Sequence, residues 1–118
     1  MAIAGIGIDI IEIDRIKAAV KQFGDSFLKR IYTAKEINYC RSKNTLRYPE
    51  LAVRFAAKEA YVKALGSGMR KIFWKDIEVI NDRLGKPELV IKGKKKPKVF
   101  VSLSHSQAFA VANVIIEA

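Results

Sequence analysis

Two carboxylates stand in stretches of this sequence that otherwise look built for a core. Asp9 interrupts the apolar run GIGIDII, and Glu59 lies inside PELAVRFAAKEAYVKAL. A buried carboxylate is costly unless compensated, so Asp9 needs a basic side chain, backbone N–H donors or a metal ion. Two carboxylates brought together repel unless a cation or a proton lies between them. Mg²⁺ suits such a pair, because it takes one or two carboxylates, keeps several waters and shares the rest of its shell with phosphates. A plainer arrangement competes with it. Glu59 can pair with Lys63, four residues on along a helix, and Asp9 can accept hydrogen bonds from the backbone.

Groups suited to phosphate surround Glu59. Lys63 lies one helical turn beyond it, and Arg54 is on a different edge of the same helix. Gly66 and Gly68 free the backbone to approach a ligand, and their N–H groups could serve phosphate oxygens. The bland alternatives are a helix C-cap followed by a turn for the glycines, and a solvated helix edge for Lys63 and Arg54. The only histidine, His105, sits in SLSHSQ between Ser104 and Ser106. Such a turn can present hydroxyls and an imidazole to a phosphate, or the imidazole can be satisfied by the backbone. A Ser-His hydrolase is disfavoured, since no GxSxG elbow is present and adjacent strand residues point to opposite faces.

The elements that must position these groups follow from periodicity. Residues 3–11 read as a strand with Ile6, Ile8 and Ile10 on one face and Gly5, Gly7 and Asp9 on the other, so two glycines leave room beside the carboxylate. Asp14 can cap a helix from Arg15 to Phe23, ended by Gly24. Ser26 can cap a short helix through FLKRIY. Thr33 and Glu36 form a capping box for a helix reaching about Arg41, and SKNTLRY reads as a loop. Pro49 opens the longest helix, which stops at Gly66. It is apolar around much of its circumference, which makes it central and Glu59 at least partly buried. After the basic loop GSGMRK the period changes to two: DIEVI, PELVI, KVFVSLS and AFAVANVII read as strands. NDRLGKP is a turn, and KGKKKPK is a solvated hairpin tip without a catalytic role. The expected fold is α+β, with helices packed against a small antiparallel meander.

The totals set bounds. The chain has 118 residues, half of them hydrophobic, which predicts one domain over residues 1–118 with an adequate core. Cys40 is the only cysteine, so no intramolecular disulfide or CxxC metal site exists, and a free thiol suits a reducing compartment. No basic region precedes the first apolar run, and no stretch approaches the roughly 18–20 apolar residues of a membrane span. The expectation is a cytoplasmic protein without a membrane partner. A net charge of +10 points to an anionic partner without choosing among nucleic acid, phosphorylated small molecules, acidic proteins and anionic lipid.

Three blocks, GIGIDIIEIDRI, RFAAKEAYVKALGSG and SLSHSQAFAVANVIIE, resemble those of holo-acyl-carrier-protein synthases, the small bacterial 4′-phosphopantetheinyl transferases. Their order, spacing and the total length match, and the middle block is the most specific. The resemblance implies an α+β subunit assembled as a homotrimer with active sites at subunit interfaces. It also implies transfer of 4′-phosphopantetheine from coenzyme A to a serine of an acyl carrier protein, a step that serves fatty acid biosynthesis. Adenosine 3′,5′-bisphosphate leaves as the other product. By resemblance, Asp9 and Glu59 would hold Mg²⁺ on the pyrophosphate, and Lys63 would neutralise charge moving to the leaving group. Arg54, the loop Gly66, Ser67 and Gly68, and the Ser104–His105 turn would hold the nucleotide end, with Pro87 lining the same pocket. Arg15, the one basic residue here within a family motif, would meet the acidic carrier protein; Lys21 and Lys29, with Lys17 and Arg30, could extend that docking surface or be ordinary solvated surface. For the serine's proton, Glu59 is the first candidate base and His105 the second. Ile8 departs from the family pattern, where many relatives have threonine, but alternation points it away from the site.

Rival functions are a nucleic-acid-binding module, a Mg²⁺-dependent phosphoesterase and a non-enzymatic trimeric scaffold. The first leaves Asp9 and Glu59 unexplained. It also lacks an aromatic pair interleaved with basic residues on one strand.

Overall fold

The computed structural model describes residues 2–66 and 71–118. The first strand, β1 (Ile3–Glu12), runs directly into helix α1 (Ile13–Phe23), followed by two short helices, α2 (Asp25–Ile31) and α3 (Ala34–Cys40). Two-residue strands β2 (Arg41–Ser42) and β3 (Thr45–Leu46) form a small hairpin before the long helix α4 (Tyr48–Leu65). A single 3-10 turn, Trp74–Asp76, leads into β4 (Ile77–Asn81), β5 (Pro87–Ile91), β6 (Lys94–Lys95), β7 (Val99–His105) and β8 (Phe109–Glu117).

Helix α4 is the centre of the molecule. Pro49 sits in its first turn, and Gly66 ends it in the left-handed region at φ 77°, where a residue without Cβ carries no steric penalty. Leu51, Ala52, Ala56, Ala57 and Ala60 are fully buried. The helix packs on a three-stranded antiparallel sheet of order β1-β8-β7. Alternation along β1 holds as expected: Gly5, Gly7 and Asp9 face α4, while Ile6, Ile8 and Ile10 face outward and are more than 60 % exposed. A Cβ on Gly7 would overlap the Ala60 carbonyl oxygen, and one on Gly5 would overlap that of Ala64. The strand therefore lies on the bare backbone of the helix.

The fold class is the expected α+β, but the strands do not form one meander. A second sheet, β4-β5-β6, stands apart. Lys92 and Gly93 take positive φ of 51° and 80° and turn the chain back so that Val90 pairs Lys95. KGKKKPK thus closes its own hairpin, and β7 pairs with β8 instead of continuing from β5. The expected SKNTLRY loop contains the β2-β3 hairpin.

Two helix starts also differ from expectation. Glu12, not Asp14, is the N-cap of α1, without a side-chain bond, and the Ile13 N–H donates to Ala108 O at 2.9 Å. Gly24 precedes α2, while the Ser26 hydroxyl donates to Phe23 O. The Thr33–Glu36 capping box forms as expected.

Candidate active site

The seam between β1 and α4 gathers three of the expected site residues. Asp9 reaches it because the glycines on its face bring strand and helix together. Lys63, one turn beyond Glu59, extends its Nζ to 3.0 Å from Asp9 Oδ1 and 3.0 Å from Ile8 O. Asp9 is largely covered and Lys63 half exposed. The basic partner that Asp9 required is therefore Lys63, and the competing Glu59–Lys63 pair does not form. Among the described residues Glu59 has neither an ion-pair nor a hydrogen-bond partner. Partial burial raises its pKa above the ordinary 4.5, the Asp9 charge raises it further, and Lys63 offsets part of the rise.

Two carboxylates and one lysine are an incomplete metal shell. Among the described residues no group of three or more His, Cys, Asp and Glu side chains could hold an ion. The donor set nevertheless fits Mg²⁺, which commonly takes one or two carboxylates and completes its octahedron with water and substrate phosphate. Burial is the first cause of the raised Glu59 carboxyl and the Asp9 charge the second; a cation between the two acids would relieve that second part.

The remaining expected residues lie elsewhere. Pro87, Ser104 and His105 line a cavity of about 250 Å³, together with Tyr39, Glu50, Val53, Asn81, Gly85 and Leu103. His105 Nδ1 lies 3.1 Å from Ser106 O, while Ser106 Oγ accepts the N–H groups of Ala108 and Phe109. The backbone contact expected of a turn histidine is thus present, on the exposed rim of the cavity. Register places the cavity across the sheet from Asp9: Asp9 pairs Ala112 of the central strand, which pairs Leu103. Two strand spacings, about 10 Å, separate these edges.

Arg54 is not on a solvated edge. Its side chain is 1 % exposed. Nη1 donates to Glu50 O and Oε2 at 3.2 and 3.1 Å, Nη2 donates to Asn81 Oδ1 at 2.6 Å, and the guanidinium lies over the Tyr39 ring. It underpins the cavity through residues that line it. Gly66 spends its N–H on Val62 O and Lys63 O as the helix cap. Ser67 and Gly68 lie outside the described residues. Arg15, Lys17, Lys21, Lys29 and Arg30 are all exposed on α1 and α2, with Phe23 between them 56 % exposed.

Sequence reasoning missed the most buried charges. Lys58 Nζ lies 2.7 Å from Glu36 Oε1, and both side chains are wholly covered. Glu36 could be found as a capping-box residue, but its second partner is far away in sequence. Lys58 sits in the apolar stretch FAAKEA, and a charge in such a stretch is a signal of its own.

The chain matches a family model described as the 4′-phosphopantetheinyl transferase superfamily over residues 5–114. It is 47 % identical to the holo-[acyl-carrier-protein] synthase of Halothermothrix orenii, over 98 % of each chain. Identity to the holo-[acyl-carrier-protein] synthase of Clostridium tetani is 50 %, over 98 % of this chain and 96 % of that one. The crystal structure of a holo-(acyl-carrier-protein) synthase from Bacillus anthracis in complex with CoA (3′,5′-ADP) superposes with a TM-score of 0.83. It is 44 % identical and covers 98 % of this chain and 97 % of that one.

Proposed function

From the premise that the chain belongs to the 4′-phosphopantetheinyl transferase superfamily, as a holo-[acyl-carrier-protein] synthase, we propose how its residues move phosphopantetheine from coenzyme A to apo-acyl carrier protein. The observation that carries the proposal is the Asp9–Glu59–Lys63 cluster on the β1–α4 seam. Phosphoryl transfer asks mainly for positioning and charge neutralisation, and this cluster offers both.

Asp9 and Glu59 would hold Mg²⁺, which when bound neutralises the pyrophosphate and orients it. Lys63 sits where it can follow charge onto the leaving group. The serine oxygen of the carrier protein forms a bond to the phosphorus that bears pantetheine. The bond from that phosphorus to the bridging oxygen breaks, and adenosine 3′,5′-bisphosphate leaves with the electron pair. The serine proton must go to a base during attack. Glu59, which stands in the cluster without a hydrogen-bond or ion-pair partner among the described residues, is the group we assign, with His105 as the second candidate.

Pro87, Ser104 and His105 would receive the nucleotide end, with Arg54 holding that cavity's shape from beneath. The cavity and the acid cluster lie on opposite edges of one sheet. This separation supports a site completed by a second subunit, as does the exposed face of Ile6, Ile8 and Ile10. We read the assembly as a homotrimer. Arg15, Lys21 and Lys29 form the surface offered to the acidic carrier protein, whose field would speed encounter. A cytoplasmic setting agrees with the unpaired Cys40 thiol, and no described helix is long and apolar enough to cross a membrane.

The test is the intact mass of apo-acyl carrier protein incubated with the enzyme, coenzyme A and Mg²⁺, with and without chelator. A gain of one phosphopantetheine, lost with chelator and with serine-to-alanine in the carrier, is expected. Bisphosphate released without any carrier would point to a phosphoesterase instead, and transfer that survives chelation would remove the metal.

A further inference from the structure

The Glu36–Lys58 pair has no part in the chemistry above, yet it is built with unusual completeness. An ammonium has three donors, and Lys58 spends them on Glu36 Oε1 at 2.7 Å, Trp74 O at 3.0 Å and Ile77 O at 2.5 Å. Glu36 also accepts the Thr33 N–H on Oε1 and the Val79 N–H on Oε2, both at 2.9 Å. One buried ion pair thus ties α4 to the start of α3 and to both ends of the entry into β4. Burial pushes the Lys58 ammonium toward neutrality, and Glu36 opposes that push.

Such a pair is weak evidence for stability, because apolar residues of similar volume often do as well. Its place in the helix gives it another use. Lys58 directly precedes Glu59, and consecutive helical side chains diverge by about 100°. Lys58 faces α3 and β4; the next side chain faces β1. On that far side Gly5 and Gly7 lie flush on the Ala64 and Ala60 carbonyls, so rotation of α4 moves its acid directly relative to Asp9.

We infer that Glu36–Lys58 is a positioning pair, which fixes the rotation of α4 and thereby aims the Glu59 carboxylate at the site it shares with Asp9. The inference rests on Glu59 being a metal ligand, as proposed above. A misplacement of about 1 Å at a reacting centre can lower rate about 100-fold.

The double variant Glu36→Gln/Lys58→Met removes both charges and strands neither. Mn²⁺ binding in the presence of coenzyme A, read by electron paramagnetic resonance, would be measured beside kcat, KM for the carrier protein, circular dichroism and Tm. The expected result is a folded protein with Mn²⁺ affinity lowered about 10–100-fold, kcat lowered with it and carrier KM unchanged. Ile16→Ala, a core cavity on α1 outside the Lys58 hydrogen-bond network, controls for lost thermal stability and is expected to keep wild-type Mn²⁺ affinity. Should the double variant fail to fold, Glu36→Asp keeps both charges and shortens the tie by one methylene, and it is expected to show a smaller loss of the same two quantities. Wild-type Mn²⁺ affinity and kcat in a folded variant would overturn the inference. A wild-type enzyme that transfers phosphopantetheine but binds no Mn²⁺ would overturn the metal-ligand reading of Glu59 and the inference with it, leaving the transfer reaction standing.

Discussion

Glu59 carries an electrostatic load before any ligand arrives. Burial and the Asp9 charge hold its folded pKa above the ordinary 4.5, so folding favours its neutral form. That contribution to stability is full below about 4.5 and is lost as pH rises through the raised folded value. Glu59→Gln stays neutral throughout. In metal-free buffer its Tm should match wild type near pH 4 and exceed it at pH 7, while kcat falls about 100-fold or more. An unchanged kcat would remove Glu59 as base and as essential ligand. Cys40 makes the opposite case. Burial pushes its thiol up to about 11, and its exposure is 0 %. It should resist an aromatic disulfide reagent at pH 8 and react at once in guanidinium; rapid reaction of the native protein would contradict the buried placement. These residues also mark where sequence legibility ends. Asp9, Glu59 and Lys63 were readable because a charge in an apolar run announces itself and helical spacing brings Lys63 alongside. Arg54 was not, since what covers it depends on Asn81, which comes from the end of β4.

Between elements, the decisive contact has no side chains in it. Gly7→Ala would drive a methyl into the Ala60 carbonyl and push β1 off α4. Overpacking of this kind costs about 1–3 kcal/mol, visible as a lower urea midpoint, and transfer should fall further than stability because Asp9 moves with the strand. A variant that lost stability but kept kcat would mean that the seam does not set the site. The alternation of β1 was legible from sequence because one face carries glycine and the other isoleucine. The helix starts were less so. At α1 the role of a side-chain cap passes to Ala108 O, a partner from the turn before β8, and no local pattern reports it. The single meander failed for a related reason: pairing the first strand with the last is a long-range choice, and a positive-φ Lys-Gly pair decided where the chain turned back.

At the scale of the molecule, the acid cluster and the Pro87–His105 cavity occupy opposite edges of one sheet, a separation that single-chain reasoning could not give. If neighbouring subunits complete each site, two dead variants can rescue one another. Asp9→Asn and His105→Ala, each weakly active alone, should regain activity when unfolded and refolded together, with about a quarter of sites intact at equal mixing. No recovery would place both halves in one chain's site. Ile8→Glu, which sets a charge in the exposed isoleucine face, should sediment as a monomer and lose transfer; a fully active monomer would remove the shared site. If the site is shared in this way, the enzyme's own concentration becomes a control variable. Diluted below the dissociation constant of its assembly, a site that straddles two chains loses specific activity with no residue altered. Coenzyme A, by touching both halves, would act as the linker that holds them and move that threshold to lower concentration. Substrate supply would then govern how much enzyme exists as well as how fast it turns over.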